Sequence, residues 1–156
     1  MIFFVLFFIQ GCAYKHNKSH SIHSIEADEQ KVFNAIKQMF RNGSGNEFII
    51  DTHWDSLIVT KRETIYLPFL HMEIKQTVYQ IDANATDKSI NYELKVYTQI
   101  GEGDKRYLDE NSYIHTLFWN RVEYALGSDE WLSCLKATSL SHYGSFLCNI
   151  SPQSLR

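Results

Sequence analysis

The chain has 156 residues, 44% of them apolar, enough for one domain with a core of its own. Its formal charge of −3 comes with no basic patch, so nucleic acid is not an expected partner. No nucleophile elbow, phosphate loop, CxxC or HExxH occurs, so no motif assigns a reaction and no cofactor is expected.

Met1 to Ile9 is an unbroken apolar run. Crossing a bilayer takes about 20 apolar residues, so this run instead suits the short core of a signal peptide. It ends in Ile9-Gln10-Gly11-Cys12. That sequence resembles the lipobox of bacterial lipoproteins, in which an aliphatic, a variable and a small residue precede an obligatory cysteine. The resemblance implies removal of residues 1–11, a diacylglycerol on the Cys12 sulfur and acylation of the new amino terminus. The chain would then be held at a membrane, facing the periplasm. Two or three acyl chains anchor durably where one does so marginally. Ala13 after the cysteine, in place of Asp, implies the outer membrane more than the inner. Two other readings stay open. A cut after Gly11-Cys12-Ala13 would free a soluble chain from Tyr14, or the apolar run could be a core segment of a cytosolic protein.

With Cys12 acylated, two of the three cysteines remain. An even remainder in an exported chain makes Cys134 and Cys148 a disulfide candidate. The bridge would close a loop of about 15 residues and add roughly 3 kcal/mol through lost chain entropy. The alternative is two separate buried thiols.

Residues 12–24 follow as a polar tether, too poor in apolar side chains to bury a face. His16, His20 and His23 would share one face of a helix, but no acidic or thiol partner sits among them to complete a metal site. Ile25 to Asn42 predicts an amphipathic helix with a stripe of Val32, Phe33, Ile36, Met39 and Phe40, capped by Ser24 or Asp28 and stopped by Gly43 and Gly45.

Four strands are predicted next: Glu47 to His53, Leu57 to Thr64, Leu70 to Ala83 and Ser89 to Ile100. In the third, Met72, Ile74 and Val78 alternate in one parity and Tyr79 and Ile81 in the other, which suggests a bulge near Gln76. The fourth alternates strictly, with Tyr92, Leu94 and Val96 on its dry face and Tyr97 on its wet one. A second long helix is predicted from Glu110 to Leu126, with Ser112 as a cap, and a short third helix from Ser128 carrying Trp131, Leu132 and Leu135.

The predicted fold class is α+β: a two-layer sandwich of an N-terminal helix, a four-stranded antiparallel meander, a C-terminal helix and the short helix. The domain would span 25–138, with a C-terminal tail over 139–156. The element order resembles small helix–sheet domains common among envelope lipoproteins, such as those of outer-membrane assembly factors; that likeness implies a fold and no activity.

Three constellations could carry chemistry. Asp51, His53 and Asp55 alternate along one strand edge and could hold a metal or exchange protons, though a hairpin corner explains them as well. Asn84-Ala85-Thr86, with Asp82 before it, is an N-glycosylation acceptor pattern in a predicted turn. Ser112 and His115 are one helical turn apart, and His71, His115 and His142 are otherwise isolated. The expected function is therefore a membrane-anchored lipoprotein whose small domain binds a protein partner or assembles within the envelope, through an edge strand or the face with Tyr97. The alternative is an anchored metal-dependent enzyme or ligand carrier using Asp51, His53 and Asp55.

Overall fold

The computed structural model describes residues 20–44, 47–68, 71–86, 89–109, 112–134 and 143–156. The first amphipathic stripe forms α1, Glu29–Ser44, with Val32, Phe33, Ile36, Met39 and Phe40 buried. Asp28 caps it: its Oδ1 accepts from the backbone N–H of Gln30 at 3.0 Å and of Lys31 at 3.3 Å. The helix starts after Ile25 because Ile25 closes a strand.

The strands are β1, His20–Ile25; β2, Phe48–Thr52; β3, Ser56–Leu67; β4, His71–Ala85; β5, Ile90–Ile100; and β6, Arg106–Tyr107. They form one antiparallel sheet in the order β1-β5-β4-β3-β2, with β6 also paired to β5. The fold is α+β as expected, but among the described residues the sheet has six strands and not four. The missed strand that matters is β1. Its residues, His-Ser-Ile-His-Ser-Ile, look like tether because an edge strand covered on one face can carry polar side chains there if a helix satisfies them. Residues 20–24 thus belong to the domain.

The register explains the core. Tyr92, Leu94 and Val96 of β5 lie opposite Ala83, Ile81 and Tyr79 of β4, and Ile81 and Tyr79 lie opposite Leu57 and Val59 of β3. This face packs against α1 and against α2, Tyr113–Ala125, which contributes Ile114, Leu117, Phe118 and Val122. Ser112 caps α2 by accepting from Ile114 N–H at 3.4 Å. Gly127 ends the turn after it with φ +111°, a conformation glycine adopts without strain. Pairing of β3 with β4 is unbroken from Ser56 and Asp82 to Leu67 and His71, so there is no bulge at Gln76. The change of parity is a change of face instead. Tyr79 and Ile81 point into the core, while Met72, Ile74 and Val78 lie on the opposite face of the sheet.

Two C-terminal expectations also change. The predicted third helix is not helical over Ser128–Ser133, and from residue 135 it lies outside the described residues. Here side chains of α2 take the backbone groups a helix would use: Asn120 Nδ2 donates to Glu130 O at 3.0 Å, and Leu132 N–H donates to Asn120 Oδ1 at 3.0 Å. The tail is not an appendage either. From residue 143 it forms α3, Ser145–Asn149, and buries Phe146, Leu147, Ile150 and Leu155. It seats against α1 at Gly43, where a Cβ would stand 2.9 Å from Phe146 O, so only glycine admits the approach. Tyr79 O–H donates to Tyr143 O from beneath the same segment.

The Tyr92 side chain is fully buried, and among the described residues its hydroxyl has no hydrogen-bond partner. Burial pushes its pKa up to about 12, since the phenolate would be desolvated. Tyr92→Phe removes that hydroxyl and keeps the ring, so it is expected to leave stability unchanged or raise it by about 1 kcal/mol in urea unfolding.

Candidate functional site

Two residues of β1 and three of α2 meet along one seam. Ser21 and His23 alternate on β1, opposite Leu94 and Tyr92, and so face the helical layer. His115, Trp119 and Glu123 are spaced four residues apart on α2 and so line one face of it. Trp119 Nε1 donates to Ser21 Oγ at 3.2 Å, and Ser21 Oγ lies 2.7 Å from His115 Nδ1. An indole can only donate, so Ser21 accepts from Trp119 and its own proton is available to His115. The His23 ring stacks on Trp119, with centroids 5.0 Å apart and planes at 12°. Its Nε2 lies 2.8 Å from Glu123 Oε1.

The deep half of this seam, Ser21 with His115 and Trp119, locks the edge strand to the helix. The shallow half opens. A cleft of about 280 Å³ runs beside β1, lined by Ser21, His23, Trp119, Asn120, Glu123 and Leu132 among others. It combines the Trp119 ring, the His23 imidazole, Glu123 and Glu130 with the apolar Ile22 and Leu132, a set that suits a peptide side chain with one polar end. Sequence reasoning missed the site because the tether reading hid Ser21 and His23. The signal was present as alternation in His20–Ile25 and the four-residue spacing of His115, Trp119 and Glu123.

The sites picked out from sequence fall elsewhere. Asp51 ends on the outward face of β2, and His53 and Asp55 sit in the turn before β3, all three exposed. The turn is held by its backbone, with His53 N–H donating to Ser56 O and Ala83 N–H to Asp55 O, each at 2.8 Å. Among the described residues no three His, Cys, Asp or Glu side chains converge on a point that could hold a metal, so this trio is not brought together as ligands. His23 turns to Glu123 and not to other histidines; His16 and Cys12 lie outside the described residues. Asn84 is exposed near the end of β4, and the Thr86 hydroxyl of the same pattern donates to Ser89 O at 2.6 Å within the hairpin turn. Ser112 serves as a helix cap, and the Nδ1 of His115 meets Ser21 Oγ.

Cys134 and Cys148 are joined as a disulfide, with Cα atoms 5.7 Å apart. The bridge ties α3 to the segment that follows α2. Beside it the buried guanidinium of Arg121 donates to Leu147 O at 3.2 Å, Asn120 Oδ1 at 2.6 Å and Leu132 O at 2.9 Å. No helix of the described residues is long and apolar enough to cross a membrane. No protein-family model matches the chain, and a search of curated proteins finds none similar to it.

Proposed function

We propose that the chain is a bacterial lipoprotein, held by acyl groups on Cys12 at a membrane facing the periplasm, the outer membrane in preference to the inner. Its domain is a binding or assembly module of the envelope that takes an extended segment of a partner protein along β1. The Ile9-Gln10-Gly11-Cys12 pattern supports the anchor, and the Cys134–Cys148 bridge suits the oxidising compartment the anchor implies.

The observation that carries the binding reading is the β1 edge. Among the described residues β1 pairs with β5 alone, so its other side presents free main-chain donors and acceptors. Proteins blunt such edges with Lys, Pro, bulges or inward charge; His20–Ile25 carries no Lys, Pro, Asp or Glu, and Ile22 is 64% exposed. A strand added there would set alternate side chains over the cleft rimmed by His23, Trp119 and Glu123, so that backbone pairing gives affinity and the cleft gives selectivity. Nothing in the geometry favours the anchored metal enzyme, since Asp51, His53 and Asp55 stand apart in a hairpin corner.

The test is a photoreactive residue at Ile22 in the full chain, in cells. It is expected to capture one envelope protein in stoichiometric yield. Ile22→Lys, which puts a gatekeeper charge on the edge without touching the core, is expected to reduce complex formation at least roughly tenfold while thermal unfolding stays within about 2 °C. An undiminished complex would rule out the β1 edge.

A further inference from the structure

The hairpin of β3 and β4 outruns its neighbours. β2 stops pairing at Lys61 and β5 at Lys75, whereas β3 and β4 pair with each other on to Leu67 and His71. The projecting part is an arm two strands wide. On its outward face Tyr66 lies opposite Met72, with Ile74 next along β4, and these are 75%, 62% and 51% exposed. Arg62, Glu63, Glu73 and Lys75 stand at its base, with Lys75 and Glu63 3.7 Å apart, so its local charge is balanced. Among the described residues, the clefts beside β1, at Gly43 and at Gly103 are lined by none of these three side chains.

The direction of the chain decides what it meets. β1 runs antiparallel to β5, so its first residue points to the same end of the sheet as the arm. His20 lies opposite Lys95; from there β5 continues to Ile100 opposite Lys75, and β4 continues to His71. At about 3.3 Å per strand residue the arm's end stands roughly 30 Å beyond His20. Fully stretched, the chain from Cys12 to His20 spans at most about 28 Å. An acyl group on Cys12 therefore cannot hold this end of the sheet clear of the membrane with the sheet upright.

We propose that the β3–β4 arm rests on the bilayer that holds Cys12, with Tyr66, Met72 and Ile74 in its interfacial layer. This rests on the lipid-anchor reading above. The residue types suit that layer: tyrosine places its ring among the headgroups with its hydroxyl wet, and methionine and isoleucine lie below it. The depth is limited. Among the described residues β3 beyond Lys61 and β4 before Ile74 have free outer edges, and unpaired backbone groups are tolerated in the hydrated interface but not in hydrocarbon. The domain then stands on two supports, acyl chains and arm, which orient the β1 edge toward the periplasm's other occupants.

The test uses the mature protein purified from membranes and returned to phosphatidylcholine vesicles. One variant carries an environment-sensitive fluorophore on Met72→Cys. A second carries it on Trp54→Cys, at the opposite end of β3, where Trp54 is 90% exposed. Intact mass establishes the state of Cys12 in each. With nitroxide-bearing lipid in the vesicles, the probe at position 72 is expected to lose roughly half of its emission and the probe at position 54 almost none. Acylated Cys12 with equal or no quenching at the two positions would overturn the arm's contact and leave the anchor standing. So would efficient crosslinking of position 72 to a protein while the nitroxide leaves it bright. A bare Cys12 thiol would overturn the anchor and this proposal with it.

Discussion

Arg121→Met is expected to lower the unfolding free energy by about 3 kcal/mol, read from the urea midpoint with an unchanged slope. Arg121 is 1% exposed, and among the described residues it forms no ion pair. Burial pulls its pKa down to about 10, so it remains charged across the neutral range. Its charge is spread over hydrogen bonds to Leu147 O, Asn120 Oδ1 and Leu132 O, and its plane lies over the Trp131 ring with Cζ 3.6 Å from the centroid. Those contacts join α2 to α3 and to the irregular segment before Cys134, the part of the chain without a helix or strand to hold it. Methionine fills much of the volume but leaves Leu147 O and Leu132 O facing an apolar group, each worth roughly 1 kcal/mol or more when orphaned, while Asn120 Oδ1 keeps the Leu132 N–H. The relief of desolvating one guanidinium offsets part of this. Arg121→Lys is expected to recover less than half of the loss, because a point charge with rotating donors cannot reproduce the planar fork or the stacking on Trp131. Full recovery by lysine would show that charge alone, and not the fork, holds the segment.

The same residue shows why parts of the fold are hard to read from sequence. Period-two alternation from Ile90 to Ile100 and the helical stripe from Val32 to Phe40 are legible because a single face of each is buried against a neighbour. β1 and the tail are not. In β1 the inward residues are Ser21 and His23, polar groups whose partners, His115, Trp119 and Glu123, lie about a hundred positions away in sequence. In the tail, Phe146, Leu147, Ile150 and Leu155 reach the core through short turns of irregular spacing, so no period marks them. The segment after Ser128 has the composition of a helix start, but Asn120 and Arg121 capture its backbone. β1 and the segment after Ser128 share one cause: a local pattern is overridden by hydrogen bonds from another element. The candidate cleft lay in that blind region. Asp51, His53 and Asp55, by contrast, are conspicuous because alternation of ionisable residues is easy to see, yet their turn needs only its own backbone bonds.

Phe40→Ala is expected to cost about 4 kcal/mol, the larger of the two effects, and to loosen the tail before the rest of the domain. Among the described residues the Phe40 ring neighbours four others: Phe146 at 4.8 Å and nearly parallel, Phe48 at 4.9 Å, Tyr79 at 5.1 Å and Phe118 at 6.1 Å. These come from α3, β2, β4 and α2, so one side chain of α1 touches every layer of the core. The backbones around it cannot close the gap. α3 is already against α1 at Gly43, and the spacing of the strands is set by their ladder. The cavity therefore persists, and its cost adds to the lost transfer energy. A domain of this size has roughly 5–15 kcal/mol in all, so the variant is expected to keep its secondary structure by circular dichroism but unfold near half the urea concentration of the parent. Hydrogen exchange localises the damage. Amides of α3 are expected to lose protection more than those at the centre of β5, because the α3 ring Phe146 packs on Phe48 and Tyr79 of the sheet and on this ring. A loss below about 1 kcal/mol, or uniform loosening of the sheet, would mean that the five rings do not form the shared packing unit described.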